Sequence, residues 1–259
     1  MLALVMAGGL SAGHAMAQPA AASAQAAPQV PVPQIPDPWE HANRGFYRFS
    51  MAVDRAVIAP GIHVYLKVVP SPIRTGIKNV IYNMHEPRVF ANDVLQARPT
   101  RAGASAVRFA VNSTIGLGGL IDVAGQTGLP GHDSDFGQTL GRWGAGTGPY
   151  VFVPFYGPSD VRDGIGKIAD TVGDPMAWAL GGLSTTGGQV YSGVNVFQAR
   201  VDIDPQLQGL GDFTDPYATL RSGYSQYRAD KVRDARGVTQ AKAVEALPDF
   251  GDAPSAPQP

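Results

Sequence analysis

Between Phe136 and Pro158 the chain reads FGQTLGRWGAGTGPYVFVPFYGP, with glycine at 137, 141, 144, 146, 148 and 157. Glycine at this density raises the chemistry of a phosphate cradle, in which bare backbone N–H groups close on an oxyanion. The order is wrong for it. A dinucleotide loop follows a strand and opens a helix, and a P-loop ends in Lys followed by Ser or Thr. Here the glycines precede the extended run from Tyr150 to Val153, with no Lys-Ser or Lys-Thr. The spacing reads instead as two extended arms about a glycine turn, with Arg142-Trp143 before it and Tyr150 to Val153 after it. Pro154 confines the second arm to a sheet edge. A close-packed hairpin and a mobile loop both fit, because glycine lowers the cost of φ > 0 and frees the backbone of side-chain restraint.

Other reactive groups do not assemble into a site. GPSDVR and GLSTTG both lack the spacing of a G-x-S-x-G nucleophile elbow. The five histidines, at 14, 41, 63, 85 and 132, form no H-E-x-x-H or i,i+4 pair, which leaves no metal centre to predict. Asp133 and Asp135 in GHDSDFG have no EF-hand frame and read as helix caps. No cysteine is present, so disulfides, thiolate ligands and a cysteine nucleophile drop out. Arg162-Asp163 with Asp170, and Arg108 with Asn112, stand at helical spacing among apolar neighbours. They read as solvated faces or, in a bundle lying in lipid, as groups lining a water-filled interior.

These residues need a scaffold, and composition limits its kind. The 259 residues are 44% hydrophobic but only 16% charged, with net charge −1; ordinary soluble domains carry about 25% charged residues. A nucleic-acid partner is not indicated, and a surface this poor in charge points to an apolar contact. The opening MLALVMAGGLSAGHAMAQPA has an apolar run and an A-x-A site at Ala15-Met16-Ala17, which predicts an exported chain with a signal peptide over 1–17. An Ala/Pro-rich linker over 18–36 and a disordered tail over 237–259 flank a single domain over 37–236. Beyond the signal, no apolar run reaches the 18–20 residues of a spanning helix.

Seven or so helices are predicted, hence a mainly α fold. The first takes Asp37 as cap, Pro38 at its first position, Glu40 at the capping-box position and Pro60-Gly61 as its end; Trp39, Ala42, Phe46, Phe49, Val53 and Val57 form its apolar stripe. A second runs from Ser71 to a break at Glu86-Pro87, and a third from there to Pro99. A fourth, from Thr100, presents Ala102, Ala106, Phe109, Ala110 and Ser113 for close approach. Further stripes are Val161, Ile165, Ile168 and Val172, and Val190, Val194, Phe197 and Val201. A last helix repeats the Asp-Pro-aromatic opening at Asp215-Pro216-Tyr217.

With these segments in view, the sequence resembles the MlaA (VacJ) family of outer-membrane proteins that maintain lipid asymmetry. The resemblance rests on Asp37-Pro38-Trp39-Glu40 with Asn43-Arg44, on Glu86-Pro87, on NSTIGLGG from Asn112 with Ile121-Asp122, on the window continued to PFYGPSDVRD, and on Asp215-Pro216-Tyr217. It implies a ring-like helical domain with one short Gly-rich β-hairpin, lying in the inner leaflet of the outer membrane on its periplasmic side around an amphipathic channel. It also implies a non-enzymatic, cofactor-free role: phospholipid leaves the outer leaflet beside a trimeric porin and passes to a periplasmic lipid carrier. Gly141, Gly144, Gly146 and Gly148 become the gating hairpin, and Trp143, Tyr150, Arg162, Asp163 and Asp170 become wall residues of the channel. Members typically carry a lipobox cysteine, which this sequence lacks; the rival reading is a soluble periplasmic lipid-binding or scaffolding protein without the anchor.

Overall fold

The computed structural model describes residues 35–237; the signal-peptide reading, most of the linker and the tail beyond Gly237 lie outside the described residues. The helices are α1 (Glu40–Val53), α2 (Ala59–Val68), α3 (Ser71–Leu95), α4 (Pro99–Thr114), α5 (Val123–Gln126), α6 (Phe136–Arg142), α7 (Val161–Val172), α8 (Pro175–Ala179), α9 (Thr186–Asp202), α10 (Asp204–Gly209) and α11 (Pro216–Ala235). One antiparallel hairpin, β1 (Tyr150–Val153) and β2 (Gly157–Asp160), pairs Tyr150 with Asp160 and Val153 with Gly157. The expected mainly α fold with one hairpin is what the chain forms.

Two predicted helix breaks are absent. At Pro60 the helix continues, because the preceding turn, Asp54–Ile58, widens to a π-helix. Proline lacks an N–H and its ring collides with the carbonyl four residues back, and a wider turn relieves both problems. Pro87 lies inside the 25-residue α3. Tertiary bonds hold the helix on both sides of it: Glu86 accepts from Arg108 Nε at 2.6 Å before it, and Asn92 donates to Asp170 at 2.9 Å after it.

The repeated Asp-Pro-aromatic opening has two outcomes. Asp215 caps α11, accepting the Ala218 N–H at 3.1 Å. Asp37 is not a cap. Its carboxylate takes Asn43 Nδ2 at 2.7 Å, the Tyr217 hydroxyl and Arg221, so α1 starts at Glu40 without a side-chain cap. Glu40 correspondingly binds Arg44 rather than completing a capping box. The folded unit also begins before residue 37: Pro36 accepts the Tyr150 N–H at 2.8 Å, and Ile35 is buried with Tyr47, Tyr150, Phe152 and Tyr217.

The hairpin lies further along the chain than its predicted arms. Arg142 ends α6 and Trp143 follows as its C-cap, so neither is extended. Gly144, at φ +101°, ends the helix: its N–H reaches the Gly141 carbonyl and that of Ala145 the Leu140 carbonyl, at 3.2 and 2.9 Å. This is a Schellman closure, which favours glycine at that position. The hairpin turn proper is Pro154-Phe155-Tyr156.

Burial is inverted relative to a water-soluble bundle. Among the described residues, 24 polar or charged side chains are buried against 15 hydrophobic ones. The apolar stripes point outward: Trp39, Phe46, Phe49 and Val57 of the first stripe, then Ile73, Ile77, Ile165, Ile168, Val172, Val190, Val194 and Phe197, are all exposed. On α1 the buried residues are Asn43, Tyr47 and Ser50. On α4 the buried face is Ala102, Ser105, Arg108 and Asn112, offset from the predicted small-residue face.

Where α6 and α7 meet, the backbones nearly touch. A Cβ on Gly166 would lie 2.4 Å from the Gly137 nitrogen. Gly166→Ala should therefore destabilise the protein by about 1–3 kcal/mol. Gly103→Ala, on α4 with nothing within 4 Å, should be neutral or stabilising by up to about 1 kcal/mol. Denaturant unfolding in detergent of the two variants checks both signs, and equal stabilities would contradict this packing.

Candidate functional site

The hairpin tip carries an unfavourable backbone: Phe155 has φ +63°, beside Gly157 at φ +93°. A bulky residue in the left-handed region needs support. The Phe155 ring packs edge-on against Phe49, with centroids 5.8 Å apart, while its N–H faces Ser50 Oγ at 3.4 Å. Behind the tip are two cavities. The larger, ≈ 430 Å³, runs from Phe155 and Tyr156 to α9, mixing apolar Ala177, Leu183, Val196 and Ile203 with polar His85 and Asn195. The smaller, ≈ 280 Å³, is lined by Asp133, Asp135, Asp163, Lys167, Asp170 and Arg228 among others. Arg88, Tyr156 and Thr171 line both, so the cavities adjoin.

One charged network builds the smaller cavity. Arg228 of α11 reaches Asp135 at 2.7 and 3.0 Å and also Asp163. Arg162 binds Asp163 at 2.9 Å, and Tyr224 donates to the same carboxylate at 2.6 Å. The carboxylates double as caps, Asp135 for α6 and Asp160 for α7, so helix starts and ion pairs share atoms. Burial alone would raise the Asp135 carboxyl, but the Arg228 hydrogen bond and charge outweigh it and hold it down at about 2. Asp160 goes the other way: burial, then the Asp163 charge, push it up to about 6. Asp170 accepts from Asn92 Nδ2 and the Phe136 N–H, both at 2.9 Å.

The predicted site residues separate into groups. Asp163 and Asp170 line the smaller cavity. Arg162 is buried and lines a separate one of ≈ 320 Å³, together with Gly146. None of these is a solvated face. Tyr150 is fully buried in the aromatic core, so its predicted place on the channel wall is not where its side chain sits. Trp143 is exposed, its indole N–H on the Leu95 carbonyl at 3.1 Å and its ring against Phe136, and it lines neither of the adjoining cavities. Gly141 is required by close packing, since a Cβ would meet Val232 at 2.7 Å, and Gly148 by φ +72° with Val161 at 3.1 Å. Only Gly146 of the four has open space and an ordinary φ.

The motif around Pro38 is a clamp. Asn43 holds β1 by donating to the Tyr150 carbonyl and accepting the Phe152 N–H at 2.9 Å. Arg44 grips Asp215 at 3.0 and 2.7 Å over the Tyr217 ring. Phe155, Tyr156, Arg88 and Lys167, which line the cavities, carry no role in the sequence reading, although Phe155 and Tyr156 lie within PFYGPSDVRD. The available signal was an aromatic pair set between Pro154 and Gly157, residues that mark a turn. Among the described residues no group of three or more His, Asp or Glu could hold a metal ion.

A polar, charge-lined interior beneath an apolar exterior is the arrangement of a protein that works in lipid, and the comparisons agree on its kind. A family model described as MlaA lipoprotein matches residues 35–231. The chain belongs to the MlaA lipoprotein family. It is 35% identical over 194 residues to the intermembrane phospholipid transport system lipoprotein MlaA of Shigella flexneri, and equally to that of Escherichia coli K12, covering 73% of this chain and 76% of each relative. The Haemophilus influenzae protein of the same name is 32% identical over 225 residues, covering 82% of this chain and 84% of that relative. A solved structure concerned with the structural basis for maintenance of bacterial outer membrane lipid asymmetry superposes with a TM-score of 0.67 at 33% identity, over 76% of this chain and 98% of that one.

Asp160 makes the network's electrostatics testable. Its raised acid adds stability that is present below its unfolded value near 4 and is lost as pH rises through about 6. Asp160→Asn keeps a capping oxygen and removes that loss. Its gain in unfolding free energy over the parent, followed by denaturant titration, should be absent near pH 4 and grow to a plateau above pH 7, on the order of 2–3 kcal/mol. A gain independent of pH, or a loss at pH 8, would contradict the assignment.

Proposed function

We propose that this MlaA-family chain is a phospholipid-transfer channel seated in the inner leaflet of the outer membrane. Mislocalised outer-leaflet phospholipid passes through it to a periplasmic carrier, with no covalent step. The observation that carries the reading is the inverted burial: apolar stripes of α1, α3, α7 and α9 outside, charged groups inside. Exposing roughly 30 methylenes of a diacyl lipid to water costs on the order of 20 kcal/mol at ~0.8 kcal/mol each. A polar passage for the headgroup, walled by a protein that itself sits in acyl chains, removes most of that barrier.

Leaflet seating fits the helix lengths. No single described helix is long and apolar enough to cross a membrane, but the run Glu40–Val68 and α3 meet at 117° and together pass for a re-entrant pair. Exposed apolar stripes of this extent favour the seated channel over a soluble lipid-binding protein, because contiguous patches in water invite association. A porin trimer is the proposed neighbour in the membrane. The hairpin tip, Phe155-Tyr156, stands at the larger cavity, and Gly146 is the point in the preceding loop left free to bend.

Expressed in a Gram-negative cell, the full chain should be recovered in the outer-membrane fraction, crosslinked to porin. Gly146→Val should be recovered in equal amount yet leave the cells detergent-sensitive, while Gly144→Val should lower stability through its helix closure. Recovery wholly in the soluble periplasm would overturn the channel reading. Full protection by Gly146→Val would overturn the hinge.

A further inference from the structure

Guanidinium groups around the adjoining cavities are nearly all spoken for. Arg228 is held by Asp135 and Asp163, and Arg200 by Asp54 at 2.6 and 2.9 Å and Asp204 at 2.8 Å. Arg88 differs. It projects from α3 to line both cavities, no described carboxylate pairs with it, and its Nε is buried without a hydrogen-bond partner. Arginine cannot shed its proton, so the group stays a cation with open donors. Across the smaller cavity Lys167 is likewise without an ion pair among the described residues. Its Nζ stands 4.6 Å from the centre of the Tyr156 ring, at the hairpin tip. Burial, and then the Arg228 charge, hold its pKa below the ordinary lysine value, as for an ammonium in need of a counter-ion.

We propose that Arg88 and Lys167 form a seat for the phosphodiester of a phospholipid where the two cavities join, beside Tyr156. The guanidinium fork matches two phosphate oxygens, and the ammonium supplies a point charge. The glycerol and the first methylenes lie along Ala177, Leu183, Val196 and Ile203 of the larger cavity. The carboxylates of the smaller cavity are engaged elsewhere. Asp135 and Asp163 hold Arg228, Asp170 takes Asn92 and the Phe136 N–H, and Asp133 lies 3.5 Å from Lys231. Their negative charge limits the seat to a monoanion such as a phosphodiester. This assignment rests on the channel reading and adds to it the group that recognises the lipid.

The test uses the purified full chain in nonionic detergent with two fluorescent probes of identical acyl chains: a phosphatidylethanolamine and the diacylglycerol lacking its phosphate. The parent should prefer the phosphatidylethanolamine by about tenfold or more, as a charge-assisted bidentate contact provides. Arg88→Gln should abolish the preference and leave diacylglycerol binding unchanged, Arg88→Lys should restore part of it, and Lys167→Gln should reduce it several-fold. Retention of the full preference by Arg88→Gln and Lys167→Gln would overturn the seat while leaving the channel reading intact. If Arg88→Gln fails to fold, the same preference in Arg88→Lys as in the parent does so. Inorganic phosphate in large excess is the remaining arm. Arg88-dependent phosphate binding with no binding of either lipid probe would keep an anion seat and overturn the lipid reading.

Discussion

The buried contact of Arg228 with Asp135 and Asp163 is the constraint on which the rest of the interior depends. It joins α11 to the N-terminus of α6 and the first turn of α7. Removing one partner from such a pair leaves an uncompensated buried charge, at a cost of about 3–5 kcal/mol. For the three groups to meet, α6 and α7 must come together until backbone meets backbone, so Gly137 and Gly166 face one another with no room for a side chain. Tyr224 and Arg162 complete the carboxylate's partners. Arg228, Asp135 and Asp163 then line the smaller cavity, so the device that holds the fold together is also the wall of that cavity.

Placing charge inside has a consequence for the outside. With so many buried positions taken by Asp, Asn, Arg and Gln, the apolar residues of the helices are displaced to the surface, where water would penalise them and acyl chains do not. The three tryptophans follow the pattern: Trp39, Trp143 and Trp178 are 51%, 57% and 61% exposed. Tryptophan favours the boundary between headgroups and acyl chains. The exposed apolar faces and the low charge content of the chain thus go together.

Helix content, the hairpin and the family were legible in sequence because they depend on local periodicity and on short motifs such as Asp215-Pro216, whose cap forms as read. What local rules could not give was the direction in which each face points. Ile165, Ile168 and Val172 mark a helix face in any solvent, but only the partners of Asp163 and Asp170 decide that the face is outward. Pro60 reads as a break because the widened turn Asp54–Ile58 that offsets it is marked by no residue pattern, and Pro87 because a proline's cost is local while the bonds that offset it are distant. Asp37 failed as a cap for the same reason, being claimed by Tyr217 and Arg221 from the far end of the chain. Three of the four hinge candidates in the glycine window are accounted for by static packing and helix closure, which isolates Gly146.

The central claim, that the apolar exterior faces lipid, is most directly tested by fluorescence quenching of Trp39, Trp143 and Trp178 in reconstituted vesicles. Phospholipids brominated along their acyl chains should quench most of the emission, and aqueous acrylamide should quench little. Efficient acrylamide quenching with no effect of the brominated lipids would contradict the account.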